Sequence, residues 1–78
     1  MQVDVRLYAT LRRYTPSAPA GILALDVKEG STAADVISEL QVNANEVQVV
    51  IINSVVSTPD QVLVEGDHLA LFPPVGGG

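Results

Sequence analysis

The sequence predicts an α+β domain in two layers, a sheet with one helix laid over one of its faces. Three observations predict it. QVDVRLY and ILALDV alternate apolar and polar residues with the period of two that marks half-buried strands. Helical periodicity is clear in one segment, KEGSTAADVISELQV. A single helix cannot cover both faces of a sheet, so one face stays open.

The elements follow in order. Val3, Val5 and Leu7 share one face of the first strand, and Gln2, Asp4, Arg6 and Tyr8 the other. TLRRYTPSAPAG, with two prolines and a glycine, reads as a loop. Leu23, Leu25 and Val27 alternate with Ile22, Ala24 and Asp26 in a second strand, and the short connection makes a hairpin with the first the economical pairing. Gly30 turns the chain into the helix. Thr32 takes the N-cap position with Asp35 three residues on, at capping-box spacing and on the side the helix dipole favours. Ala33, Val36, Ile37 and Leu40 form the apolar stripe, with Asp35, Ser38 and Glu39 toward water. VQVVIIN is almost continuously β-branched and predicts a central strand. SVVSTPDQVLVEGD reads as irregular, with turns at Pro59-Asp60 and Glu65-Gly66-Asp67. HLALF closes the body as a last short strand, stopped by Pro73 and Pro74.

Seventy-eight residues make one domain, and with no cysteine it has neither a disulfide nor a thiolate metal site to staple it. With His68 the only histidine, no ligand cluster stands at metal-binding spacing and no metal is expected. The hydrophobic fraction of 47% is too high for a disordered chain. The net charge of −5 leaves only Arg6, Arg12, Arg13 and Lys28 as cations. That argues against nucleic acid and against an anionic membrane surface, and for a basic patch on a protein partner. No stretch has transmembrane length and the amino terminus lacks the pattern of a signal peptide, so the expected compartment is the cytoplasm.

No enzyme is legible. His68 reads as a surface or rim residue. The serines at 31, 38, 54 and 57 have no base and third partner, and VGGG does not sit between a strand and a helix as a phosphate loop must. What remains is the tail. Glycine loses the most conformational entropy on ordering and offers no side-chain contact, but a Gly-Gly end can thread a channel that a Cβ would block. Pro73-Pro74 cannot continue a sheet interior and favours an extended exit. From Val75 to Gly78 the chain reaches roughly 13 Å, about the depth of an enclosed active site. The expected division is therefore a domain over 1–72 and an extended, flexible tail over 73–78.

The opening LYATLRRY, the segment VKEGSTAADVISEL, the strand VVIIN and above all EGDHLALFPPVGGG resemble the ubiquitin-like sulfur carriers of the MoaD/ThiS family, most closely the MoaD type, the small subunit of molybdopterin synthase. The resemblance implies a β-grasp fold, a mixed sheet of four to five strands packed on one main helix. It implies a carrier that is not an enzyme by itself and binds no cofactor. An E1-like adenylating enzyme of the MoeB/ThiF type would use ATP to adenylate the Gly78 carboxylate, and sulfur would displace AMP to leave a thiocarboxylate. The tail would then enter a MoaE-type large subunit, where sulfur passes to a pterin precursor of the molybdenum or tungsten cofactor. By position, Gly78 carries the sulfur and Gly76 and Gly77 thread the channel. Phe72, Pro73, Pro74 and Val75 guide the tail at the partner's mouth, and Arg12 contacts the partner. Phe72 on its own residues fits the core of the last strand as well as a partner contact. Two departures stand out. INSVV replaces the Asn-Gly turn usual in the family, so a differently built turn is expected, and VGGG is an ending frequent among thiamine-pathway carriers. A thiamine carrier and a ubiquitin-like protein modifier are the alternatives.

Overall fold

The computed structural model describes residues 1–18 and 20–74. Strand β1 (Gln2–Leu7) is followed by a 3-10 helix (Ala9–Tyr14), β2 (Ile22–Asp26), helix α1 (Ala33–Glu39), a 3-10 turn (Ala44–Glu46), β3 (Val49–Ile52), β4 (Val55–Ser57) and β5 (His68–Phe72). The five strands form one mixed sheet in the order β2-β1-β5-β3-β4. β1 pairs antiparallel with β2 as expected for a hairpin, and parallel with β5. The last strand therefore inserts at the centre of the sheet, between β1 and β3. This is the α+β, ubiquitin-like arrangement that the sequence implies.

The period-two pattern sorts the sheet's two faces. Val3, Val5, Leu7, Val50, Ile52, Leu69 and Leu71 are buried on one side, and Ala33, Val36 and Ile37 of α1 join them in the core. The helix has seven residues and is held by this packing rather than by its own propensity. Its capping box forms as predicted. The Asp35 amide donates to Thr32 Oγ1 at 3.2 Å, and the Thr32 amide donates to Asp35 Oδ2 at 2.9 Å.

Three segments depart from the sequence reading. The stretch after β1 is a six-residue 3-10 helix rather than an open loop, and Leu11 anchors it in the core. The irregular segment after β3 holds a short fifth strand, β4, at the sheet edge, where Val55 and Val56 are exposed. The turn joining β3 to β4 places Asn53 at φ +52° and Ser54 at φ +69°. These are the positive angles that an Asn-Gly hairpin adopts, so serine occupies the glycine position of the usual turn instead of a new turn being built. At Gly21 (φ +76°) a Cβ would lie 2.3 Å from the Leu7 carbonyl oxygen, and only glycine allows β2 to begin so close to β1. No helix among the described residues is long and apolar enough to cross a membrane.

Candidate functional site: the open sheet face beside the tail

The open face is built by the alternate residues of the same strands. Along β5, Leu69 and Leu71 point into the core, so His68, Ala70 and Phe72 project to the other side. The register sets Asp4 beside His68, Arg6 and Ile51 beside Ala70, and Val49 beside Phe72. Tyr8, the next residue on the wet side of β1, stacks on Phe72 with ring centroids 4.4 Å apart and planes 7° from parallel. Phe72 is therefore not a residue of the core beneath the helix. It lies on the face away from the helix, half-buried, at the end of the strand that leads into the tail.

Beside Phe72 lies a mainly apolar groove of about 240 Å³, lined by Val49, Ile51, Phe72, Pro73 and Gln48. Val49 and Ile51 are half-buried on this open face, and β3 is an interior strand of the sheet, between β5 and β4. A second cavity of about 290 Å³, lined by Arg6, Tyr8, Asn53 and His68 among others, borders the stack on its polar side. Asp4 stands between Arg6 and His68. Arg6 Nε is 3.5 Å from its Oδ1 and His68 Nδ1 is 3.6 Å from its Oδ2. Both distances exceed a good hydrogen bond. His68 is exposed, in keeping with a rim residue.

Arg12 and Arg13 sit side by side in the 3-10 helix that follows the end of β1, and this helix packs against β5. They are used differently. Arg13 lies over the Tyr14 ring, 4.7 Å from its centroid, and both side chains bond the Glu46 carboxylate. The Tyr14 hydroxyl first, and the Arg13 guanidinium second, hold the Glu46 carboxyl below the usual carboxylate range. Arg12 is exposed and makes no ion pair among the described residues. Of the predicted site residues, Arg12, Phe72, Pro73 and Pro74 lie among those described, with Phe72 and Pro73 together at the apolar groove. Val75, Gly76, Gly77 and Gly78 lie outside the described residues.

Two contributors escaped the sequence reading. Tyr8 was legible as the next wet-face position of β1, but nothing in the chain announces its pairing with a residue 64 positions away. Asp67 is buried and joins two turns. Its Oδ1 accepts from Asn53 Nδ2 and its Oδ2 from the Val64 amide, each at 2.8 Å. Asn53 Oδ1 in turn accepts from the His68 amide at 2.9 Å. This network fixes where β5 starts, and hence which of its residues face outward.

The sequence model described as the ThiS family matches residues 5–78. Solved structures resemble the whole domain. A Pyrococcus furiosus protein named as molybdopterin converting factor, subunit 1, is 24% identical over 96% of this chain and 99% of its own, with a TM-score of 0.73. Small archaeal modifier protein 1 of Haloferax volcanii is 22% identical over 95% and 98%, with a TM-score of 0.74. A complex of subunits 1 and 2 of the molybdopterin-converting factor from Helicobacter pylori includes a chain 20% identical over 100% of both, with a TM-score of 0.64. No curated protein matches the chain significantly in sequence.

Proposed function

The chain belongs to the ThiS family, the ubiquitin-like sulfur carriers and modifiers, and on that premise we propose that it carries sulfur as a carboxy-terminal thiocarboxylate for molybdopterin synthesis. The observation that supports this reading is the uncovered Tyr8–Phe72 stack and its apolar groove, set on the strand that leads directly to Pro73, Pro74 and the glycine end. A carboxylate is a poor electrophile until its oxygen becomes a good leaving group. In this reading an E1-like adenylating enzyme therefore supplies ATP chemistry, and the chain supplies only the acyl group.

The open face then docks on the enzyme or on the acceptor subunit, and the slender end reaches the reaction centre. Tethering replaces a free sulfur species by one at high effective concentration. Val49, Ile51, Ala70 and Phe72 supply apolar contact, and Asp4, Arg6 and Arg12 supply polar orientation around it. The relative from Helicobacter pylori is in complex with a subunit 2, and a corresponding large subunit is the proposed partner here.

Incubation with ATP, the adenylating enzyme and a persulfide donor, followed by intact mass measurement, tests the reading. The expected product has one oxygen replaced by sulfur at Gly78. Transfer of that sulfur to a pterin precursor by a large synthase subunit supports molybdopterin; transfer only to a thiazole synthase redirects the reading to thiamine. Absence of the thiocarboxylate, where a known carrier is converted, contradicts it.

A further inference from the structure

A second apolar surface lies away from the tail. Of the five large apolar side chains left exposed among the described residues, four fall in residues 55–64: Val55 at 62%, Val56 at 73%, Val62 at 50% and Val64 at 60%. Val55 stands opposite Ile52 and shares its face, on the helix side, whereas Val56 stands opposite Ile51 on the open face. Between β4 and the segment after Pro59 runs a groove of about 390 Å³, lined by Ile52, Val55, Ser57, Gln61, Val62 and Val64. The Asp67 carboxylate also lines it, and is already engaged by Asn53 and the Val64 amide.

Both walls of this groove offer unpaired main chain. β4 is the last strand of the sheet and pairs with β3 alone. The two-residue turn at Asn53-Ser54 makes Ile52 and Val55 a hydrogen-bonded pair, which turns the Val56 N–H and C=O outward to the free edge. On the other wall, Val62 bridges to Thr32 through bonds that its neighbours make. The Ala33 amide donates to the Gln61 carbonyl at 3.2 Å, and the Leu63 amide to the Ser31 carbonyl at 2.8 Å. The Val62 amide therefore points away from Thr32, and it has no main-chain acceptor among the described residues. The surroundings are acidic. Residues 29–78 hold seven Asp and Glu and no Lys or Arg. Asp60 is exposed beside Gln61, and the Thr58 hydroxyl, with the Asp60 amide second, holds its carboxyl below the usual carboxylate range. Asp35 is exposed as well, capping α1 at Thr32.

We propose that an extended, basic segment of a protein partner adds to β4 as a sixth strand, with its alternate apolar side chains in this groove. The period of two sends every second side chain toward Val55, Val62 and Val64. The others face solvent, where Lys or Arg meets the charge of Asp60 and Asp35. β4 has three residues, roughly 10 Å of edge, so the contact is short and depends on main-chain bonds, apolar burial and charge together. A second copy of this chain fits less well, because it would bring a like-charged surface to the same place. The floor of the groove belongs to the helix side of the sheet, apart from the Tyr8–Phe72 face, and the proposal does not depend on the carrier reading.

The test titrates the full chain, labelled with nitrogen-15, with capped hexapeptides and reads its amide shifts. The probe alternates valine and lysine. One control alternates valine and glutamate, and a second is the probe N-methylated at every residue, which cannot bond to a strand edge. Saturable shifts centred on Val55–Ser57 and residues 61–65 are expected for the probe, with each control at least about tenfold weaker. Val62→Ser should weaken the probe about tenfold, the worth of one partly buried valine. Val64→Ser repeats that reading at a residue outside the Thr32 bridge, should Val62→Ser lose its fold. Equal binding of either control, undiminished affinity in a folded variant, shifts centred on Ala70 and Phe72, or no shifts at millimolar probe would each overturn the proposal. Shifts in the same residues that depend on protein concentration without any peptide would place a second copy in the groove and overturn it too.

Discussion

Replacing Phe72 by alanine separates a docking role from a structural one. In the isolated chain the ring is half-buried and its main partner is Tyr8, at 4.4 Å in a parallel stack. Losing an aromatic pair costs about 0.5–1.5 kcal/mol beyond the area it buries. Because Phe72 stands outside the main core, the total should stay near 2 kcal/mol, below the 3–5 kcal/mol typical of a core Phe→Ala change. A domain of this size then melts roughly 8–16 °C lower and remains folded at room temperature. Docking should suffer more. An aromatic anchor at the centre of an apolar contact typically loses at least ~2 kcal/mol on truncation, about 30-fold in affinity. Calorimetric titration of the folded variant against the adenylating enzyme reads the second quantity, and thermal melting the first. Tyr8→Ala, combined with Phe72→Ala in a double-mutant cycle, isolates the stack's own contribution to stability. Unchanged affinity in a folded Phe72→Ala variant would refute the assignment of this face to docking.

Three further outcomes follow from the fold. Asp67→Ala leaves Asn53 Nδ2 and the Val64 amide without their acceptor, and should lower the unfolding free energy by ~2–4 kcal/mol in urea titration; a loss below ~1 kcal/mol contradicts the network. Ser54→Gly relieves a side chain held at φ +69° and should raise stability by ~0.5–1 kcal/mol, read as a higher melting temperature; a lower one contradicts the hairpin geometry. Glu46 has a folded pKa lowered by Tyr14 and Arg13, so its stabilisation is full above the ordinary carboxylate pKa and fades as pH falls through the lowered value. The gap in urea midpoint between wild type and Glu46→Gln should accordingly close in acid, and a gap independent of pH contradicts the pairing.

The strands and helix were legible because local patterns encode them. The alternation of QVDVRL and HLALF survives in the burial of β1 and β5, and Thr32 with Asp35 announced the helix start. What local pattern cannot encode is which strands become neighbours. HLALF reads as a closing strand, yet it lies at the sheet centre because it pairs in parallel with a strand more than sixty residues earlier. The same limit hid the Tyr8–Phe72 stack. β4 was missed because three residues between a hairpin turn and Pro59 offer too short an alternation to detect, and the 3-10 helix because Ala9–Tyr14 buries only Leu11. For the site, composition excluded most chemistry and left the tail, and the family pattern then named the residues. The structure adds the half-exposed face from which that tail departs.

Deleting Gly77 and Gly78 tests the central claim most directly, with thermal melting and ATP–pyrophosphate exchange recorded on the same sample. The account predicts a melting temperature within error of the wild type and no exchange at all, because the domain folds without its end and the enzyme has no carboxylate at the right depth. Undiminished exchange by the shortened chain would contradict it.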